Sequence, residues 1–465
     1  MVTMMLNTVL VTTAAASLTI PGNSTNSTPN SIYDAMKYAT SIGQVENGVL
    51  YQVNAPESAS LKVVHVFGNA TERGFAYGQL LADQMLHFLD VDLIEFYKSE
   101  VDQIPLNTLP PWLVSVIKGL LKDAAPQVFD LALGWVLDQQ IDFIKAGKAN
   151  VVQEGQAMID GVCATLKNEP RCQNATSKAK LVQSLLQMNM LPELIRMQCS
   201  MMGAWGKATD NGHLTQLRTL DFGPGPFANN SILVVHHPDS TFSFASLSFP
   251  AFLGAVSGFS EHISFSQKVD DVTNSSRPKG TYKGQAVSMV IRDILQFSTS
   301  KEDSVHIAQK AKRTWSVWMG VGDYTSDQFL VMLYDEDAAS PYNDQTLPLL
   351  TNQTGFTDVA YIDKHPQPSP HVLMPQLVNQ SYGHINSTMM AQNFPRLMQS
   401  GDVHVLAYDF AAKKALISTG INNSTGGYIR LACDSPFLSF DMEKLWSEKR
   451  PSLNAARQES SIVQA

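Results

Sequence analysis

The chain has 465 residues, 44% of them apolar and 16% charged, with a net charge of −9. That is enough apolar material for a large core, and the composition excludes a disordered chain, which needs high charge and few large apolar groups. The acidic balance and the lack of a long basic run exclude a surface built to neutralise nucleic-acid phosphates, so no nucleic-acid partner is expected.

In chain order, no charged residue precedes Asp34. Met4 to Ile20 is mostly apolar and small, and Ala14-Ala15-Ala16 offers a site for signal peptidase. Residues 1–16 therefore read as a signal peptide, although a basic n-region is missing; the alternative is a polar leader. The stretch is too short and too interrupted to anchor in a membrane. Residues 21–32 read as a flexible leader. Residues 61–69 read as a strand ending at glycine, followed by a helix from about Thr71 to Val101 with apolar residues recurring at three and four. Residues 105–165 read as helical again, with Pro110-Pro111 starting one segment and Pro126 breaking it. A third helix spans about 177–197. Such faces pack into a core; the alternative is a lipid-facing surface, giving transient membrane contact. Beyond residue 200 the texture changes to short alternating runs at 213–222, 231–237, 241–248, 262–269, 328–335, 358–362, 404–409 and 414–419. Helices are expected near 284–298, 301–313 and 385–400. The pattern is a mainly helical front third followed by an α+β body rich in antiparallel strands.

Eleven asparagines open an Asn-x-Ser/Thr sequon, where chance gives roughly three or four. The acceptors expected to be used are Asn69, Asn174, Asn229, Asn352, Asn379, Asn386 and Asn423. The excess points to a glycoprotein that has met the secretory pathway, secreted or lysosomal. Four cysteines are present. Cys163 and Cys172 flank a polar loop and are expected to form a local disulfide in an oxidising compartment. Cys199 and Cys433 then pair with each other or stay free, and a thiol kept free in an exported chain points to reactivity. These spacings do not make a structural zinc site, and neither a metal nor an organic cofactor is implied.

The G-x-S-x-G elbow, H-E-x-x-H, the P-loop and G-x-G-x-x-G are all absent. What remains is the segment from Gln198 to Gly223, which reads as a hairpin. Cys199 opens one strand, Thr209-Asp210-Asn211-Gly212 makes the turn, and His213 to Phe222 returns. Antiparallel pairing carries Arg218 and Asp221 back toward the sulfur. A guanidinium beside a thiol lowers its pKa, and a carboxylate can hold a cation such as an N-terminal ammonium. The competing readings are a buried structural cysteine and an ordinary strand salt bridge.

The pattern Cys…Asn-Gly-His-Leu…Arg-x-x-Asp-Phe-Gly resembles the N-terminal-nucleophile (Ntn) hydrolases, in particular acid ceramidase, the N-acylethanolamine amidases, and the penicillin acyltransferase and bile-salt hydrolase branch. The run Leu253 to Phe259 resembles the ceramidase strand that follows, and Gly68 to Gly78 resembles the propeptide entry of an amoebal acid-ceramidase-like group. The resemblance implies an α+β fold, the αββα sandwich of two antiparallel sheets, preceded by a mainly helical pro-segment. Residues 17–198 would be the leader and α part, and 199–465 the catalytic β part. It implies self-cleavage between Gln198 and Cys199, after which the two parts stay associated. Cys199 would be the nucleophile, with its own α-amine as base. Arg218 would favour the thiolate and Asp221 would orient the amine. The reaction implied is cleavage of an N-acyl lipid or N-acyl amine through a thioester. The chain departs from the family where an oxyanion-hole asparagine is usual. Asp363, Lys364 or His365 occupies that neighbourhood, Asn274 is a substitute, and Gln267-Lys268 stands where the ceramidases carry a glutamate. An acyltransferase using the same nucleophile and a catalytically silent binding glycoprotein are the alternatives.

Overall fold

The computed structural model describes residues 30–451 except 105, 121–123, 196–197, 223–224, 271–280, 352 and 424–426. The expected signal peptide, the leader up to residue 29, and two of the singled-out asparagines, Asn274 and Asn352, lie outside the described residues.

In chain order the strands are β1 (Ile32–Asp34), β2 (Ala39–Val45), β3 (Gly48–Val53), β4 (Leu61–Phe67), β5 (Gln198–Ala204), β6 (Thr215–Asp221), β7 (Ile232–His237), β8 (Phe244–Ser248), β9 (Ser257–Ser260) and β10 (Ile263–Val269). They continue with β11 (Val317–Asp323), β12 (Gln328–Tyr334), β13 (Ala339–Tyr342), β14 (Val359–Ile362), β15 (His404–Asp409), β16 (Lys414–Thr419), β17 (Ile421–Asn422), β18 (Tyr428–Arg430) and β19 (Phe437–Asp441). One sheet runs β1-β19-β16-β15-β6-β5-β14 and the other β13-β12-β11-β10-β9-β8-β7-β4-β3-β2, while β17 and β18 pair with each other. Within the two sheets the pairings are antiparallel except at β1–β19 and β4–β7. Both exceptions join a strand from before Cys199 to a strand from after it.

Strand alternation sets the layers. On the first sheet Met201, Leu406, Tyr408 and Ile417 face inward and meet Leu233, Val235, Phe259 and Trp318 of the second. The alternate residues Met202, Leu217, Val405 and Leu416 face outward, under Met374, Met390 and Phe394 from the helices Leu373–Ser381, Ser387–Gln392 and Phe394–Met398. On the far side, Val64, Val66, Val234 and Phe265 pack against helices that include Ala70–Leu80, Val151–Thr165 and Val287–Phe297. The order is helix, sheet, sheet, helix: the αββα sandwich expected from the sequence.

The helix Ala70–Leu80 starts where a capping box forms, with Asn69 accepting from Glu72 and Glu72 reaching back to Asn69. It crosses Val151–Thr165 so closely that a Cβ at Gly74 would meet the Glu154 carbonyl at 2.2 Å, and one at Gly78 the Met158 carbonyl at 1.9 Å. Those glycines permit the backbone approach. At this crossing Glu154 is buried between Arg73 at 3.0 Å and Arg292 at 2.9 Å. Burial raises its pKa, but the two guanidiniums outweigh burial and hold it below the ordinary value.

The front segment is mainly helical, as expected, and it also carries β1 to β4, which belong to both sheets. The alternation of β2 is muted because most of its residues are exposed or half-buried. The long helix expected from Thr71 to Val101 is interrupted at Leu81 and continues through Ala82–His87 and Leu93–Glu100. Pro126 sits in the first turn of the helix Ala125–Lys145, where proline is tolerated. Cys163 and Cys172 form the expected disulfide, and neither Cys199 nor Cys433 is in a disulfide.

Candidate active site

β5 begins at Gln198, which is exposed, and the strand is buried from Cys199 onward. The Gln198–Cys199 bond therefore lies where the chain leaves solvent. β5 and β6 pair with Gln198 opposite Asp221, Cys199 opposite Leu220, and Met201 opposite Arg218. Alternation then puts Cys199 and Arg218 on the same face, diagonal to each other, and Asp221 on the opposite one. The expected hairpin is present, but its two charged residues do not share a side.

The face of Cys199 points between the sheets. Arg218 is fully buried there; its Nε donates to Ser257 Oγ of β9 at 2.9 Å and its Nη1 to the Thr219 carbonyl. Nη2 is buried with no hydrogen-bond partner among the described residues. Two positions along the strand, Gln216 donates to Ser266 Oγ at 2.8 Å and accepts from Ser264 Oγ at 2.5 Å. A polar seam thus crosses the otherwise apolar space between the sheets.

The expected lowering of the thiol pKa is corrected by the structure. Burial pushes the Cys199 thiol up, and this outweighs Arg218 and Lys268, which favour the thiolate; the Asp221 carboxylate also raises it. The physical reason is that the intact chain leaves the sulfur dry, and removing a charge from water costs more than these two cations return.

The opposite face holds the anion. Asp221 Oδ2 accepts from Ser400 Oγ at 2.5 Å, and its Oδ1 from the Gly401 and Asp402 amides. Ser400 also lies 3.0 Å from Ser200 Oγ and 2.6 Å from Thr219 Oγ1. Burial raises the Asp221 pKa despite these donors. Asp402, beside it, is pushed up to about 6 by burial and by the Asp221 carboxylate. Arg218 and Asp221 form no ion pair with each other, so the ordinary strand salt bridge does not account for them.

Asp363 follows β14, whose Ile362 pairs with Met201 of β5. Its Oδ1 accepts from the His365 amide at 2.9 Å and from Gln367 Nε2 at 3.0 Å. His365 is half-buried, with Nδ1 3.3 Å from the same oxygen. Ser257, Ser400 and Asp402 were not singled out as site residues from sequence. The polar turn Ser400-Gly401-Asp402 before a strand was the available signal, and it reads equally well as a plain strand start.

At the same end of the sheet, Phe88, Met188, Leu191, Ile195, Phe222 and Phe252 help to line a small apolar pocket of about 30 Å³. Ile195 precedes Cys199 by four positions, and Phe222 directly follows Asp221. Of the expected glycan acceptors, Asn69, Asn174, Asn229, Asn379 and Asn423 are exposed and Asn386 is half-buried. No helix among the described residues is long and apolar enough to cross a membrane.

No protein-family model matches the chain. Two curated relatives come from Dictyostelium discoideum, and their names state no activity. Protein dcd1B is 29% identical over 432 residues, covering 88% of this chain and 79% of the relative. Protein dcd1A is 28% identical over 397 residues, covering 82% and 83%. Solved structures with similarity include a Caenorhabditis elegans ortholog of N-acylethanolamine-hydrolyzing acid amidase, with 16% identity, a TM-score of 0.34, and coverage of 45% of this chain and 92% of that one. Penicillin V acylase from Agrobacterium tumefaciens matches with 11% identity, a TM-score of 0.36, and coverage of 54% and 89%.

Proposed function

We propose that this protein is an exported cysteine amidase of the Ntn type, which cuts its own chain between Gln198 and Cys199 and then cleaves an N-acyl amide through a thioester on Cys199. The observation that carries the reading is the β5–β6 register: Cys199 is the first buried residue after an exposed Gln198, with Arg218 on its own face and Asp221 opposite the scissile bond.

In the self-cut, the Cys199 sulfur adds to the Gln198 carbonyl carbon, the C–N bond breaks, and the Cys199 nitrogen takes the proton. Water then hydrolyses the resulting thioester, leaving a free carboxyl on Gln198 and a free amine on Cys199. In turnover that amine accepts the thiol proton as the sulfur attacks a substrate amide. The leaving amine departs with that proton, and water releases the acid. Arg218 favours the thiolate, and Nη2 is a buried donor available to a developing oxyanion. Asp221, fixed by Ser400 and Gly401, faces the new ammonium.

The substrate proposed is an N-acyl lipid or N-acyl amine whose acyl chain lies in the apolar pocket beside Phe222 and Ile195. Trp112 and Val116 are exposed one helical turn apart on Pro111–Lys118 and suit a transient lipid contact. The β1–β19 and β4–β7 ladders and the Arg73–Glu154–Arg292 cluster favour the two parts staying together after the cut. Secretion or lysosomal delivery is supported by the Cys163–Cys172 disulfide and the exposed sequons.

The test is release of free fatty acid from N-acylethanolamine and ceramide substrates at acidic pH, with a mass-spectrometric search for an acyl adduct. The expected result is turnover with a transient adduct on the peptide that begins at Cys199. Turnover that persists in Cys199→Ala would defeat the reading.

A further inference from the structure

The loop leaving β14 reads Asp363-Lys364-His365-Pro366-Gln367-Pro368-Ser369-Pro370-His371. The proposed amidase chemistry has no use for its two imidazoles. Asp363 is only 4% exposed. One of its oxygens is occupied by the His365 amide and Gln367, but Oδ2 is buried with no hydrogen-bond partner among the described residues. An unmet buried acceptor is destabilising, more so when charged. The 3.3 Å contact with His365 falls on Oδ1 and leaves Oδ2 unexplained.

His365 and His371 stack, with ring centroids 4.1 Å apart and planes at 22°. One ring nitrogen from each and one Asp363 carboxylate oxygen all lie within 4.8 Å of one another. Around a tetrahedral zinc ion with bonds of about 2.0–2.1 Å, ligand atoms stand roughly 3.3 Å apart. A contraction of about 1.5 Å is within reach of a side-chain rotation by the exposed His371. Gln367 Nε2 also donates to the Asp363 and His365 carbonyls, at 3.2 and 3.0 Å, so the ligand-bearing loop has its own supporting hydrogen bonds. Three prolines in nine residues fix φ along it, which limits the entropy lost on closing around an ion.

We infer that Asp363, His365 and His371 bind one divalent metal ion of borderline softness, Zn²⁺ foremost, with solvent completing the shell. Two imidazoles and one carboxylate suit zinc and its transition-metal neighbours and do not suit Ca²⁺ or Mg²⁺, which take oxygen ligands. The site is independent of the amidase reading, but it lies close to the proposed cut. Continuing the β14–β5 register one step past Ile362 and Met201 sets Asp363 against Ser200. Lys364 donates to the Gln399 carbonyl at 2.5 Å, next to the serine that holds Asp221.

The experiment is calorimetric titration of the untagged, chelator-stripped full chain with Zn²⁺ alone. One saturable equivalent is expected. His365→Gln and His371→Gln should each weaken it at least tenfold, while His384→Gln, an exposed histidine elsewhere, and Cys199→Ala should leave it unchanged. Melting curves of the metal-free variants check that each is folded; His371 is exposed, so its replacement should leave melting unchanged. Absence of saturable binding, undiminished affinity in the doubly substituted His365/His371 chain, or loss of binding with Cys199→Ala would overturn the assignment.

Discussion

Cys199 and Cys433 are both outside any disulfide and both buried, and they lie on opposite sides of the first sheet. Cys199 faces the space between the sheets, where Arg218 and Lys268 oppose the effect of burial on its thiol. Cys433 packs under the outer helices, its amide bonded to the Gly401 carbonyl at 2.9 Å. There burial and the carboxylates of Asp434, Asp402 and Asp221 all act in one direction, and the thiol is pushed up to about 12. A single ladder thus separates a cationic face from an anionic one. The lesson is that burial alone does not mark a nucleophile. What distinguishes Cys199 is a cation on its own face and a chain bond at the edge of solvent.

The largest expected effect breaks the comparison outright. Cys199→Ala should abolish both the self-cut and amide hydrolysis, a loss of about 10³-fold or more, whereas Cys433→Ala should keep turnover within about twofold; gel mobility and fatty-acid release read both. Next, Arg218→Gln removes the cation from the thiol's face and should lower kcat/KM by about 10²-fold, with Arg218→Lys recovering part of it. On the anionic face, Ser400→Ala deletes one charge-assisted hydrogen bond to Asp221, worth about 1.5–3 kcal/mol, and should slow the cut roughly tenfold or more. The smallest effect concerns pH. Asp402 binds its proton more tightly folded than unfolded, so its contribution to stability is complete below the ordinary aspartate value and is lost as pH rises through about 6. Melting temperature should therefore climb between pH 7 and pH 4, and Asp402→Asn should flatten part of that climb.

Much of the sandwich was legible in the sequence because β4, β6, β7, β10, β12, β15 and β16 alternate or run continuously apolar, as strands facing two packed layers do. β2 escaped notice because it is an edge strand, half exposed, and its pattern carries little apolar signal. The hairpin that brings Arg218 to Cys199 was visible from its turn, since antiparallel pairing follows from an Asn-Gly bend. Which face each residue takes was not, because a single-residue change of register reverses it. The raised thiol pKa was equally hidden: composition reveals the arginine but not the dry space around the sulfur. Asp363 and His365 stood out as an anomaly in the family pattern. Their convergence with His371 depends on how a proline-rich loop folds back, which no fixed motif spacing encodes.

The central claim is that Cys199 is a nucleophile freed by a cut at its own amine. N-terminal sequencing of the purified full chain, held at about pH 5 and compared with Cys199→Ala under the same conditions, tests it most directly. The account predicts two fragments that co-purify, one beginning at Cys199, and an uncut chain for the variant. An intact wild-type chain, or a cut at Gln198–Cys199 that survives in Cys199→Ala, would contradict it.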